Sequence, residues 1–149
     1  MKDRPMPFAS SSWLIWALLS ALFAALTAIF AKVGVAGLDS DLATLIRTIV
    51  IGVVLAAILG SVGKFVGINA ITSRTWLFLI LSGLATGASW LCYFRALKLG
   101  DAARVAPIDK LSVVLVALIG VTVLGEHLSA RSWLGIAFIA VGAALVALA

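Results

Sequence analysis

The chain has 149 residues, of which 64% are hydrophobic and 11% charged, with a mean hydropathy of +1.24. Soluble domains are about 45–50% apolar and about 25% charged, so polar groups are too few to cover this chain in water. The net charge is +5 and the sequence pI about 10.0, yet the basic residues stand singly near the ends of apolar runs, a scatter that fits membrane topology and anionic lipid headgroups and argues against a nucleic-acid partner.

Residues 1–12 form a short, mostly polar tail with Lys2, Arg4, Pro5 and Pro7. The first apolar helix is expected at 13–36, with Lys32 near its end. The run exceeds the roughly 7–15 residues of a signal-peptide core, and more apolar runs follow, so it reads as a retained helix. Residues 37–41 make a turn, in which Asp41 or Ser40 is the expected cap of a second helix at 42–59. That helix carries one charge, Arg47. The longest connection, 60–75, holds Lys64 and Arg74, and Ser73 is the expected cap of a third helix at 76–98. Gly100 is expected to end it in a left-handed conformation. Asp101 then caps a fourth helix at 102–124, Gly125 ends it, and Ser129 caps a fifth at 130–148.

The predicted fold is therefore all-α, a polytopic membrane protein of about five transmembrane helices, with a membrane domain over 13–148. No run has a continuous polar face, which excludes a water-soluble bundle. Trp13, Trp76 and Trp133 each start a run, where indole favours the headgroup region. Small residues recur every four positions: Ser20, Ala24 and Ala28; Gly52, Ala56 and Gly60; Gly83 and Gly87. Such rows let helix backbones approach closely in lipid.

An odd number of spans puts the termini on opposite sides. Lys2, Arg4, Lys64, Arg74 and Arg131 fall on one side, and Lys32, Arg47, Arg95, Lys98 and Arg104 on or toward the other. The positive-inside rule thus prefers a cytoplasmic N-terminus only weakly. A chain so balanced is compatible with insertion both ways, and two opposed copies would form an antiparallel dimer, a two-chain version of the inverted repeats of transporters.

Charges inside spans are costly, and they are functional or paired. Lys98 is expected to snorkel to the interface. Lys32 and Arg95 have two readings, snorkelling or lining a cavity. Asp109 and Lys110 lie about 10–12 Å into the fourth helix at 1.5 Å per residue. Pro107 just before them removes the helical partner of the Ala103 carbonyl and should kink the helix. A kink followed by an acid and a base marks a polar cavity; the competing reading is a structural pair of Asp109 with Arg95 or Lys32. Trp90, Tyr93 and Phe94 stand at a similar level and either line that cavity or face lipid. Cys92 reads as a packing residue and His127 as a loop residue. No catalytic motif, metal-ligand cluster or cofactor loop is present in the sequence, so neither enzyme chemistry nor a cofactor is expected.

The stretch from Tyr93 through Arg95 and Gly100, then Arg104, Pro107, Leu111-Ser112, Gly125-Glu126, Gly135 and Gly142, resembles the EamA-type repeat of the drug/metabolite transporter superfamily. Ala31-Lys32-Val33-Gly34 and Arg47 fit the same pattern. Most members carry two such repeats in opposite orientation, and this chain has one. The resemblance therefore implies a secondary transporter of small metabolites that acts as a homodimer by alternating access, in the inner (plasma) membrane of a bacterium or archaeon. The related small multidrug-resistance proteins use a glutamate in the first helix to exchange protons for cationic drugs; the first run here has no acid. Where they face one cavity, the excess of Lys32, Arg47, Arg95 and Lys110 over Asp109 points instead to an anionic or zwitterionic solute. Two other readings remain open: a subunit of a lipid-linked-sugar flippase, as some short members resemble, and a non-transporting assembly or regulatory protein.

Overall fold

A computed structural model describes residues 9–65 and 71–148; residues 1–8 of the expected tail over 1–12 and residues 66–70 of the 60–75 connection lie outside the described residues. Those described form six helical segments and no strand: α1 (Ala9–Val35), α2 (Ser40–Ser61), α3 (Ser73–Leu99), α4 (Ala102–Asp109), α5 (Ser112–Val123) and α6 (Ala130–Leu148). α4 and α5 together make one span, Ala102–Val123, so five spans are long and apolar enough to cross a bilayer. The chain is an all-helical integral membrane protein.

Several ends differ from the sequence expectations for local reasons. α1 begins at Ala9, ahead of Trp13. A helix already nucleated by an apolar run extends at the gain of one hydrogen bond per residue, so the serines before Trp13 join it. The cap of α2 is Asp39, not Ser40 or Asp41: its extended backbone lets the carboxylate accept from the amides of Asp41 and Leu42 at 2.9 and 3.1 Å. Asp41 is thereby left available for a long-range partner. Thr72 rather than Ser73 caps α3, accepting from the Thr75 amide at 3.2 Å.

Gly100 ends α3 without the left-handed turn expected of it. Its φ and ψ are −130° and 168°, an extended conformation, and its amide still donates to the Ala96 carbonyl at 2.8 Å. Two extended residues, Gly100 and Asp101, make the connection, and α4 returns alongside α3. Asp101 occupies the cap position of α4 but makes no side-chain cap bond. Gly125 does adopt the left-handed conformation, with φ +70°, and the next amide, that of Glu126, returns to the Gly120 carbonyl at 3.0 Å. Ser129 accepts from the Ser132 amide at 3.2 Å, the cap expected for α6.

α3 lies at the centre, touching α1, α2 and α4, while α6 packs on α4 and α5. The buried side chains concentrate at one end. Ala31 and Val35 of α1 meet Phe94 and Leu97 of α3, and Ala28 of α1 and Ser40 and Thr44 of α2 are also buried. That end also collects the C-terminus of α6, because Arg104 donates to the Ala147 carbonyl at 2.8 Å. α5 also packs on α6, with Ala117 and Gly120 buried on the first and Ala143 on the second. Elsewhere the spans present exposed apolar side chains such as Leu22, Phe23, Leu79 and Ile80, a surface suited to lipid. The small-residue rows divide accordingly: Ala28 is buried, whereas a methyl group added at Gly52, Gly83 or Gly87 would meet nothing within 4 Å. The rows of α2 and α3 therefore do not bring helices of this chain together. Thr44, Thr48, Thr86 and Thr122 each donate to the carbonyl four residues back, at 2.7 to 2.9 Å, which satisfies their hydroxyls at membrane depth.

Candidate functional site

The fourth span breaks, but beyond Pro107. The proline stays inside α4, and the backbone tightens after it. The Lys110 amide is shared between the Ala106 and Pro107 carbonyls at 3.3 and 3.1 Å. Leu111 then donates to Ile108, Val113 to Lys110 and Val114 to Leu111, each at 3.0 Å. These three-residue bonds are those of a 3₁₀ turn, a tighter winding that cannot carry the α-helix through unchanged. The discontinuity at Lys110 and Leu111 thus sits on the ionisable pair itself, where the sequence placed it at the Ala103 carbonyl.

Asp109 and Lys110 face a cavity of about 200 Å³. Arg47 enters it from α2 and Trp90 and Tyr93 from α3, while Ala24 and Thr27 form the α1 wall. Arg47 is seven residues from the start of α2, Asp109 seven from the start of α4 and Trp90 nine from the end of α3. All three helix ends belong to the tightly packed end, so the cavity lies about 10–14 Å inside it. That depth is well within a hydrocarbon core of about 30 Å.

The charges of this cavity are held in different ways. The Arg47 guanidinium stacks over Trp90, 4.1 Å from the ring centroid, with Phe94 at 5.4 Å. Among the described residues no carboxylate pairs with it. Lys110 pairs with its neighbour Asp109 at 3.1 Å. The cavity therefore carries two cations and one anion, and the arginine is the one balanced only by aromatic faces.

Arg95 and Lys32 do not join them. Arg95 binds Asp41 through two bonds, Nε to Oδ1 at 3.0 Å and Nη2 to Oδ2 at 2.6 Å, a fork that ties α3 to the start of α2. Lys32 donates to the carbonyls of Leu97 and Gly100 at 2.7 and 2.8 Å, which places a cation on the negative end of α3. The reading of Asp109 as partner of Arg95 or Lys32 is corrected accordingly: each has found another acceptor, and Lys110 is adjacent. Lys98 donates to the Leu38 carbonyl at 2.9 Å, in the turn between α1 and α2. Pro107 lines a neighbouring cavity of about 500 Å³ that shares Ala24, Tyr93 and Lys110 with the first. The residues the sequence reading passed over are Asp41, hidden by its candidacy as a cap, and Thr27 and Ser89, which line the charged cavity and whose signal was only that of isolated hydroxyls in apolar runs. Among the described residues no group of His, Cys, Asp and Glu could hold a metal ion.

Comparison with known proteins adds two findings. The sequence profile of the EamA-like transporter family matches residues 11–148. A protein from a Sinorhizobium species, named as an uncharacterized transporter in cobO 3'region, is 68% identical over 138 residues, which cover 93% of this chain and 98% of that protein. No solved structure matches the chain.

Proposed function

Because this chain belongs to the EamA-like transporter family, we propose that it is a secondary transporter of small anionic or zwitterionic metabolites, working as a homodimer by alternating access in a bacterial or archaeal plasma membrane. The observation that carries the proposal is Arg47. Held about 10 Å deep with no carboxylate paired to it among the described residues, its guanidinium lines the charged cavity with its charge unbalanced by an ion pair. An anionic solute supplies the missing charge while bound and removes it on leaving. The Asp109–Lys110 pair beside it is exchangeable: a solute carboxylate takes Lys110, and a solute ammonium takes Asp109.

Two features support alternation and pairing. α1, α2 and α3 are tied at one end by Lys32, Arg95 and Lys98, while the break between α4 and α5 supplies a joint about which the other end can move. The walls of the charged cavity come from α1 to α4 and not from α5 or α6, so a second copy has a side on which to complete it.

Purified protein reconstituted into liposomes, loaded with labelled amino acids and organic acids under imposed proton or sodium gradients, tests this. The expected result is movement of one anionic or zwitterionic class, lost in Arg47→Gln. Absence of movement across the panel under every gradient would reject it.

A further inference from the structure

A second cavity adjoins the charged one. It has a volume of about 350 Å³ and lies between α1, α2 and α3, walled by Phe30, Gly34, Ala43, Ile46 and Phe94. Thr27 and Arg47 line both cavities. Apart from those two residues its side-chain walls are apolar. Phe30 is 69% exposed and Ile46 48%, so its rim opens sideways between α1 and α2, toward the lipid. The two volumes together fall within the roughly 300–1,000 Å³ typical of small-molecule sites.

Resting on the transport reading above, we infer that the solute is an amphiphilic organic anion, its acidic group on Arg47 and its apolar body in the cavity between α1 and α2. A small hydrophilic anion would balance Arg47 but make no contact with the apolar compartment beside it. A neutral apolar molecule would fill that compartment and leave the guanidinium without a counter-charge. One molecule with an acid at one end and an aromatic or branched aliphatic body meets both demands. Contact with Trp90 holds the guanidinium of Arg47, which lines both compartments. The volumes suit a drug-sized solute and are too small for the two acyl chains of a phospholipid.

Calorimetric titration of the protein in phosphatidylcholine nanodiscs, with empty nanodiscs as blank, compares acetate, phenylacetate and phenylacetamide. Phenylacetate is expected to bind about tenfold or more tighter than acetate, given about fourfold per buried methylene. Phenylacetamide should show no measurable binding. A side chain at Gly34 starts in open space, with nothing within 4 Å of an added Cβ, so Gly34→Leu should fill the compartment, erase the advantage of phenylacetate and spare acetate. Ala43→Leu is the second filling variant, and folding of each is judged by gel filtration and thermal unfolding. Arg47→Gln should abolish both carboxylates. Equal affinity for acetate and phenylacetate, tight binding of phenylacetamide, or indifference of phenylacetate to both folded filling variants overturns the inference and leaves anion transport standing. Loss of phenylacetate binding in phosphatidylglycerol nanodiscs assigns the compartment to anionic lipid and also overturns it. Failure of every carboxylate to bind removes the transport reading beneath as well.

Discussion

A lysine in an apolar helix can reach for solvent, for a counter-charge or for backbone, and Lys32 takes the third course. Its ammonium closes two carbonyls at the end of α3, which otherwise lack helical partners. Hydrogen bonds to charged groups contribute about 1.5–3 kcal/mol. Lys32→Met should therefore lower stability by about that amount, read from denaturant unfolding in detergent, with Lys32→Arg recovering part. Asp109 and Lys110 should differ in which solutes they affect. Asp109→Asn is expected to weaken zwitterion transport about tenfold or more while sparing simple anions, and Lys110→Ala to weaken both, since each loses a charge-assisted bond to the solute; competition assays in proteoliposomes separate the two. Arg47, Asp109 and Lys110 were legible in the sequence because charges in apolar runs are rare. The Asp41–Arg95 fork was not, because it joins residues 54 apart and a nearby helix start offered Asp41 a local task that Asp39 in fact performs.

At the scale of the helix, the fourth span departs most from regularity. Sequence placed the disturbance at Pro107, where a hydrogen bond is missing; the structure places it three residues on, where the chain winds more tightly. A proline removes a bond on its N-terminal side, but where the chain relieves the resulting strain is set by packing, which no local rule records. Pro107→Ala should restore a continuous helix. The expected outcome is unchanged or raised thermal stability, slower amide exchange at residues 110–114 and transport reduced about tenfold through misplacement of Lys110. Gly125 is the opposite case, a position read correctly because only its φ of +70° is demanding. Gly125→Ala should cost about 1–2 kcal/mol, measured by the same unfolding assay.

Taken whole, the molecule is closed at one end and spread along the rest of its length. Its accessible surface is 11,783 Å² for 15.5 kDa, against about 7,200 Å² for a compact soluble monomer of that mass. The number of spans was plain from composition. The asymmetry was not, because small-residue rows occur in tightly packed and unoccupied faces alike. Gly52, Gly83 and Gly87 stand in open space, so the faces of α2 and α3 that carry them remain available to another copy in the bilayer. Single-molecule photobleaching in dilute vesicles is expected to show two steps per complex, and Gly83→Leu together with Gly87→Leu to shift the population toward one. Labels on both termini, probed from either side of the membrane, then read whether the pair is parallel or opposed.

The stack of Arg47 on Trp90 also makes the molecule its own optical gauge. Indole emission responds to a cation held against its face, so any solute that draws the guanidinium aside changes the light that Trp90 emits. With Trp13, Trp16, Trp76 and Trp133 replaced by phenylalanine, the arrival and departure of an unlabelled compound become visible in a stopped-flow trace, and a library can be surveyed before anything is known of what the cell supplies.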